Sequence, residues 1–223
     1  MPSTRRSLHS VLRSTLRSIG APVKANAGIP RLKPVRPREV TVPNEEFEAV
    51  YRAAGPALQL ALLLAREAGL RHRAIRELRL TNCDFENRML VGRTKAWSTY
   101  NVPMTKRLEA KLRWACEGLT DEVRSILQRF NRAGRPLSPT NLDQKLSMAK
   151  KAAGVTRSWC LHDLRRTGAR ALFAATHDIL KVQRFLGHMD PMHSWWYLGL
   201  EARELNHEDI ERCSIGQQKE KIA

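Results

Sequence analysis

The C-terminal third of the chain carries two histidines, an arginine and a tyrosine at spacings that suit chemistry on an anion. His162 and Arg165 stand in L-H-D-L-R-R-T, and a separation of three residues puts them on one face of a helix. They lie near the predicted start of that helix, where backbone N–H groups and the helix dipole favour a negatively charged ligand. Gly187 ends another predicted helix, which places His188 on the following turn, and Tyr197 comes nine residues after that histidine. Taken singly, each motif is more often structural than functional.

Two basic residues farther upstream complete the pattern. Arg71 directly follows a predicted buried helix in G-L-R, and Lys95 lies in G-R-T-K at a predicted hairpin turn. Alone, the arginine is best explained as a solvated cation at a helix C-terminus, and lysines are common at hairpin tips. Function is therefore indicated by the six residues in their sequence order, and by none of them separately.

This order resembles the tyrosine recombinase (phage integrase) family. The signature of that family is an arginine, a hairpin lysine, H-x-x-R, a histidine or tryptophan, and a tyrosine. Here G-L-R followed by L-R-L-T-N-C-D-F-E-N is similar to the first box of the family. The second box is similar to L-H-D-L-R-R-T, then F-L-G-H, with the tyrosine nine residues on. The resemblance covers about residues 43–198.

The resemblance implies a site-specific DNA recombinase of the integrase or invertase type. Such an enzyme cleaves and rejoins double-stranded DNA through a 3′-phosphotyrosine intermediate. The implied catalytic residues are Arg71, Lys95, His162, Arg165, His188 and Tyr197. Tyr197 would attack the phosphorus. Arg71 and Arg165 would clamp the non-bridging oxygens, because each guanidinium presents a planar fork of donors.

The other three residues are implied to move protons or to donate hydrogen bonds. Lys95 would protonate the 5′-hydroxyl leaving group, and His162 would assist proton transfer at the nucleophile. His188 would donate a hydrogen bond to the phosphate. No cofactor is implied, neither a metal ion nor ATP, because the arginines supply the positive charge and the phosphotyrosine link stores the energy for religation.

Other functions stay open from the sequence alone. A non-catalytic DNA-binding protein on the same fold is favoured by Ala74, since family members often carry an acid three residues after the first arginine. Glu77, one turn later, is the alternative partner for Arg71. An enzyme like the type IB topoisomerases would share the chemistry but needs a more extensive DNA clamp. A basic helical scaffold protein would leave the six-residue pattern to coincidence.

The composition agrees with a nucleic-acid partner. Of 223 residues, 39 are Lys or Arg and 22 are Asp or Glu, which gives a net charge of +17. A chain this basic is expected to bind a polyanion, nucleic acid being the commonest and anionic lipid the alternative. The four cysteines show neither a disulfide nor a zinc pattern, and no apolar run is long enough to span a bilayer. These features predict a protein of a reducing compartment without a membrane partner, and the resemblance implies a cytoplasmic, nucleoid-associated protein of prokaryotic or phage origin.

Hydrophobic periodicity predicts a fold that is mainly α with a small antiparallel β-sheet (α+β), as the resemblance also implies. Asn44 is the predicted N-cap of the first helix after the N-terminal segment. Helices are expected at 7–19, 57–69, 72–78, 105–117, 121–131, 140–153, 161–175, 178–186 and 201–213. Two short strands, containing Met89–Val91 and Tyr100–Val102, are expected around a turn at Lys95–Ser98.

The chain divides into three predicted parts. Residues 1–42 carry nine basic residues and one acid, and their prolines favour an extended basic linker after a short helix. They are interpreted as the remnant of a core-binding domain, as a truncation, or as a naturally short N-terminus; an organelle transit peptide is the alternative. Residues 43–198 form the predicted catalytic domain. Residues 199–223 form a predicted tail helix, and the family implies that it docks on a neighbouring protomer within a tetramer on DNA.

Overall fold

A computed structural model describes residues 40–93, 99–120, 123–131, 134 and 137–199. The helices are α1 (Asn44–Ala53), α2 (Pro56–Arg66), α3 (His72–Glu77), α4 (Lys106–Cys116), α5 (Pro139–Ala152), α6 (Leu161–Thr176), α7 (Ile179–Leu186) and α8 (Pro191–Leu198). The strands are β1 (Cys83–Asp84), β2 (Met89–Arg93) and β3 (Thr99–Pro103), with 3₁₀ turns at Leu80–Asn82 and Ile126–Phe130. The predicted helices at 7–19 and 201–213 and the hairpin turn containing Lys95 lie outside the described residues.

Helix α2 forms the centre of the main hydrophobic core. It begins at Pro56, whose fixed φ and missing N–H suit the first position of a helix. Its buried residues are Ala57, Leu58, Leu60, Ala61, Leu62, Leu63, Leu64 and Ala65. A helix that is apolar on nearly every side must be surrounded by other elements. Helix α6 packs along it, and α1, α3, α4 and α5 also contact it.

The three strands form one antiparallel sheet in the order β1-β2-β3. In β3, Tyr100 and Val102 are buried while their neighbours are exposed, which is the alternation expected of a strand with one covered face. Tyr100 pairs with Gly92 across the sheet, and its phenol ring occupies the space that a side chain at Gly92 would fill. Helix α7 covers β3, so the sheet lies beside the helices that carry the C-terminal motifs.

The start of α6 is fixed by local and distant hydrogen bonds. Asp163 Oδ2 accepts from the backbone N–H of Cys160 at 2.9 Å, which anchors the first turn. Thr167 Oγ1 donates to the Asp163 carbonyl at 2.9 Å and accepts from the backbone N–H of Val42 at 3.0 Å. These bonds fix the rotation of α6 about its axis, and with it the directions of His162 and Arg165.

The end of the described chain packs in a smaller hydrophobic cluster. Its buried members are Ala169, Val182, Leu186 and Leu198, from α6, α7 and α8. Asp178 caps α7 by accepting from the backbone N–H groups of Leu180 and Lys181, and Gly187 ends that helix with φ 56°. The chain then turns directly into α8, which carries the tyrosine of the sequence motif.

The predicted fold class is confirmed, with local corrections. Asn44 was expected to be the N-cap of α1, but it is the first residue of that helix, and Pro43 is the N-cap. The expected helix at 121–131 is wrong in the part of it that the structure describes, because only a 3₁₀ turn forms there. Strand β1 and helix α8 were not predicted. No helix among the described residues has the length and apolar character needed to cross a membrane.

The close approach of α6 and α2 at Gly168 gives a test of the packing. A Cβ at this position would collide with the backbone carbonyl of Arg66. We expect Gly168→Ala to lower the free energy of unfolding by about 1–3 kcal/mol, although alanine favours helix, because backbone must shift to accept the methyl group. Urea unfolding followed by circular dichroism measures the change.

Gly55→Ala is the matched control for that substitution. Gly55 has φ −72° and no atom within 4 Å of the position of an added Cβ. Because Gly55 is the N-cap of α2, where alanine is less favourable than glycine, this variant should lose at most about 1 kcal/mol. Equal stability of the two variants would contradict the close packing of α6 against α2.

Candidate active site

Arg165 is a buried cation held by backbone carbonyl groups. Its side chain is only 3% exposed. One terminal nitrogen, Nη2, donates to the carbonyl of Leu186 at 2.7 Å, and the other, Nη1, donates to the carbonyl of Gly69. Burial lowers the pKa of Arg165 to about 10, so the guanidinium remains charged at neutral pH. Its Nε has no hydrogen-bond partner among the described residues.

His188 lies between Arg165 and the first turns of α8. Its Nε2 is 3.4 Å from Nη2 of Arg165, and its Nδ1 is 3.0 Å from the hydroxyl oxygen of Ser194. Burial and then the charge of Arg165 lower the pKa of His188 to about 4, with Arg71 a further cause. The imidazole is therefore neutral at physiological pH, and one of its nitrogens carries a proton while the other accepts.

Tyr197 lies over the arginines with its hydroxyl at the start of α6. The guanidinium carbon of Arg166 is 4.9 Å from the centre of the Tyr197 ring, and that of Arg165 is 5.8 Å away. The hydroxyl donates to the backbone carbonyl of His162 at 3.4 Å. Burial raises the pKa of the Tyr197 phenol, although the neighbouring arginines oppose this. A nucleophilic attack by this oxygen therefore requires a group that takes its proton.

The imidazole ring of His162 lies beside the ring of Tyr197. Its ring centre is 5.4 Å from the ring centre of Tyr197 in an edge-to-face arrangement. Desolvation, followed by the charges of Arg165 and Arg166, lowers the pKa of His162 below that of a free imidazole. A neutral imidazole beside a phenol has a free lone pair, which is what general-base chemistry requires.

Arg71 lies at the edge of this cluster, and Lys95 lies outside the described residues. Arg71 is exposed at the N-cap of α3, and its charge contributes to the lowered pKa of His188 and of His162. Both carboxylate oxygens of Glu77 accept from Nε of Arg73, at 2.7 and 2.9 Å. The alternative in which Glu77 replaces the missing acid beside Arg71 is thus not supported, because Arg73 engages that carboxylate.

Two residues of the cluster were missed by the sequence analysis. Arg166 follows Arg165 in the R-R doublet, yet consecutive residues do not face the same side of a helix, so the pattern favoured only one of them. Both are buried, because Tyr197 covers both guanidinium groups. Ser194 was missed because its bond to His188 depends on the unpredicted helix α8. The structure thus brings together four predicted residues, His162, Arg165, His188 and Tyr197, and adds these two.

The described structure thus brings arginines, imidazoles and a phenol together on one mainly helical domain. The sequence profile of the phage integrase family matches residues 41–204. Because this match covers well over half of the chain, the protein belongs to the phage integrase family. The predicted resemblance is confirmed.

Two relatives that are similar to this chain in sequence are both tyrosine recombinases named XerC. The chain is 27% identical over 169 residues to tyrosine recombinase XerC of Chlamydia trachomatis serovar L2, with 70% of this chain and 53% of that protein covered. It is 26% identical over 145 residues to tyrosine recombinase XerC of Lactobacillus leichmannii, with 63% and 49% covered. The chain spans about half the length of these relatives.

Solved structures show the same fold at lower sequence identity. A lambda integrase dimer bound to a COC′ core site superposes with a TM-score of 0.65 at 20% identity, covering 91% of this chain and 61% of that one. XerA recombinase superposes with a TM-score of 0.64 at 17% identity, covering 81% and 65%.

The low pKa of His188 predicts how stability depends on pH. In the unfolded chain this imidazole titrates near its ordinary value of about 6.5, whereas in the folded protein its pKa is about 4. Between these values the unfolded state binds more protons, so stability should fall as the pH is lowered through this window. We expect His188→Gln to reduce that fall, measured as the urea midpoint between about pH 7 and about pH 5. An unchanged pH dependence would show that His188 is not held neutral.

Proposed function

We propose that this protein is a site-specific DNA recombinase that cleaves and rejoins double-stranded DNA through a covalent bond to Tyr197. The observation that carries the proposal is the surroundings of the Tyr197 ring. Two imidazole rings lie 5.4 and 5.5 Å from its centre, and two guanidinium carbons lie 4.9 and 5.8 Å away. A phenol surrounded by two bases and two fixed cations suits attack on a phosphodiester.

The proposed reaction uses each group once per cleavage. The Tyr197 oxygen attacks phosphorus while His162 takes the phenol proton, and the bond from phosphorus to the 5′ oxygen breaks. The products are a 3′-phosphotyrosine and a 5′-hydroxyl, whose proton comes from Lys95. Arg165 and Arg71 stabilise the charge on the non-bridging oxygens, which is the task that a metal ion has in other phosphoryl-transfer enzymes. We propose that neither a metal ion nor ATP is needed.

A non-catalytic DNA-binding protein is the second candidate. The observation that favours it is the surroundings of Arg71, where Ala74 replaces an acid and Glu77 is paired with Arg73. Arg71 is exposed, and no carboxylate among the described residues pairs with it. A topoisomerase-like enzyme would share the covalent step but would relax supercoils without choosing a sequence.

The proposed partners follow from the proposed reaction. The relatives' names and the lambda integrase structure on a core site support double-stranded DNA as the substrate. We also propose self-association into a tetramer on DNA, through the tail at 199–223. Since the substrate is DNA, the expected location is the cytoplasm, in association with the nucleoid.

Covalent trapping tests the proposed nucleophile. The protein is mixed, with and without EDTA, with nicked duplexes tiled across DNA that flanks its gene, and complexes that resist SDS are measured. We expect Tyr197→Phe to abolish such complexes while the Kd for DNA stays within about twofold, because only the reactive oxygen is removed. Tyr51→Phe on α1 is the matched control, since Tyr51 stacks on Phe47 and lies over Arg107 away from the cluster.

The outcomes separate the candidates. A covalent complex that survives in Tyr197→Phe would assign the nucleophile elsewhere. Clear binding without any covalent complex in the wild type would favour the non-catalytic protein. Loss of the complex only in the presence of EDTA would contradict the metal-free reaction. Relaxation of supercoiled DNA of any sequence would favour the topoisomerase-like enzyme.

The salt dependence of binding tests the electrostatic interface. With a net charge of +17, the chain should bind DNA largely by releasing counterions from phosphates. We expect the Kd measured by fluorescence anisotropy to rise roughly a hundredfold or more between about 50 and about 200 mM salt. A Kd that hardly changes over this range would contradict a phosphate-dominated interface.

A further inference from the structure

Ser194 places a buried hydroxyl group against the imidazole of His188. The residue lies on α8 and is 0% exposed, and its Oγ is 3.0 Å from Nδ1 of His188. The other ring nitrogen, Nε2, faces Nη2 of Arg165 at 3.4 Å. The two nitrogens of this imidazole therefore each have one protein partner, and those partners differ in what they can do.

The partner at Nε2 determines the protonation of His188 in the structure described here. An arginine donates hydrogen bonds and has no acceptor, so Nε2 must accept from Nη2 of Arg165. Because the imidazole is neutral, with a pKa of about 4, its one proton is then on Nδ1. Nδ1–H consequently donates to Oγ of Ser194.

The proposed reaction requires the other neutral tautomer of His188. To donate a hydrogen bond to a DNA phosphate, His188 needs a proton on Nε2, the nitrogen on the side of Arg165. The same phosphate would draw Nη2 of Arg165 away from Nε2, because a charged oxygen is the better acceptor. With the proton on Nε2, Nδ1 becomes an acceptor and requires a donor. A hydroxyl can act as donor or acceptor after rotation of its hydrogen, whereas a carbonyl or carboxylate can only accept.

We propose that Ser194 is a positioning residue which allows His188 to exchange the Nδ1–H tautomer of the free protein for the Nε2–H tautomer that donates to DNA phosphate. This inference rests on the proposed function of the same cluster. In the exchange, Nδ1 gives its proton to water and Nε2 takes one from water, so the charge of the ring is unchanged. The Ser194 O–H then rotates and donates to Nδ1, and the N–H of Arg165 turns from Nε2 to a phosphate oxygen.

The other charged and titratable neighbours of His188 do not duplicate this role. The ring of Tyr197 is 5.5 Å from that of His188 and perpendicular to it, and the ring of His193 is 6.4 Å away. The charges of Arg165 and Arg71 both oppose protonation of the ring as a cation. A neutral tautomer exchange is thus easier for this histidine than gaining a second proton.

Nitrogen-15 NMR of the His188 ring tests the proposal in the full chain. In the wild type without DNA, we expect Nδ1 to be protonated and Nε2 to be unprotonated. In Tyr197→Phe bound to a duplex that contains the target site, we expect the proton on Nε2. An Nε2–H tautomer in the free wild type, or an Nδ1–H tautomer that persists on DNA, would overturn the proposal. The free-protein measurement decides even if no covalent complex forms.

A pair of nearly isosteric substitutions separates the hydroxyl from the shape of the side chain. Ser194→Thr keeps the hydroxyl, and Ser194→Val has the same branched shape without it. On a pre-bound nicked duplex we expect Ser194→Val and Ser194→Ala to slow covalent complex formation by about 10- to 100-fold, the range found for lost hydrogen-bond partners behind metal-bound histidines. Ser194→Thr should cleave within about threefold of the wild type, and the Kd for DNA should stay within about twofold in all three variants.

The results distinguish failure of this inference from failure of the proposed function. If the wild type forms the Tyr197-linked complex and Ser194→Val forms it equally fast, Ser194 has no part in positioning His188. If Ser194→Thr is as slow as Ser194→Val at equal urea midpoints, the site depends on side-chain volume and the hydroxyl proposal is wrong. If the wild type forms no covalent complex, the proposed function fails, while the tautomer of the free protein still tests the bond to Ser194.

Discussion

The buried guanidinium of Arg165 is the interaction on which the arrangement of this domain depends. A buried charge has to be stabilised by hydrogen bonds to protein groups, and here the carbonyl groups of Gly69 and Leu186 accept them. Both carbonyls lie where a helix has ended, in positions that have no partner within a helix. Gly69, with φ 61°, and Gly187, with φ 56°, turn the chain at these two places. Arg165 lies on α6, and its guanidinium therefore connects the end of α2 to the end of α7.

The same cation organises the chemistry around it. His188 follows the turn at Gly187, so the carbonyl of Leu186 and the imidazole reach Arg165 from one short segment. The ring of Tyr197 lies 5.8 Å from the guanidinium carbon, and its hydroxyl bonds to the first turn of α6. Burial, and then the positive charge of Arg165, lower the pKa of both nearby imidazoles. The structural role of Arg165 and its proposed role at the phosphate therefore depend on the same burial.

Sequence periodicity predicted most helices because their apolar faces are long, as in α2 and α6. The site residues were predicted from the family resemblance, because no single motif could indicate them. Helix α8 was missed because its eight residues offer too few turns for a hydrophobic period to be recognised. The bond between Ser194 and His188 is a tertiary contact, and the pairing of Glu77 with Arg73 depends on side-chain direction. The N-cap prediction for Asn44 was wrong by one residue, because Pro43 holds that position and Asn44 is already part of the helix.

The tyrosine and its helix pack on the smaller of the two hydrophobic clusters. Only a few buried residues hold α8 there, whereas α2 and the elements around it share the large core. Segments with few buried contacts open at a lower free energy than the global one, and they do so as cooperative local units. Helix α8 is thus the segment that can detach first while α2, α6 and the Arg165 carbonyl cradle stay folded. Among the described helices, α8 should therefore exchange its amide protons faster than α2 and α6, so Tyr197 lies on a less stable segment than Arg165 does.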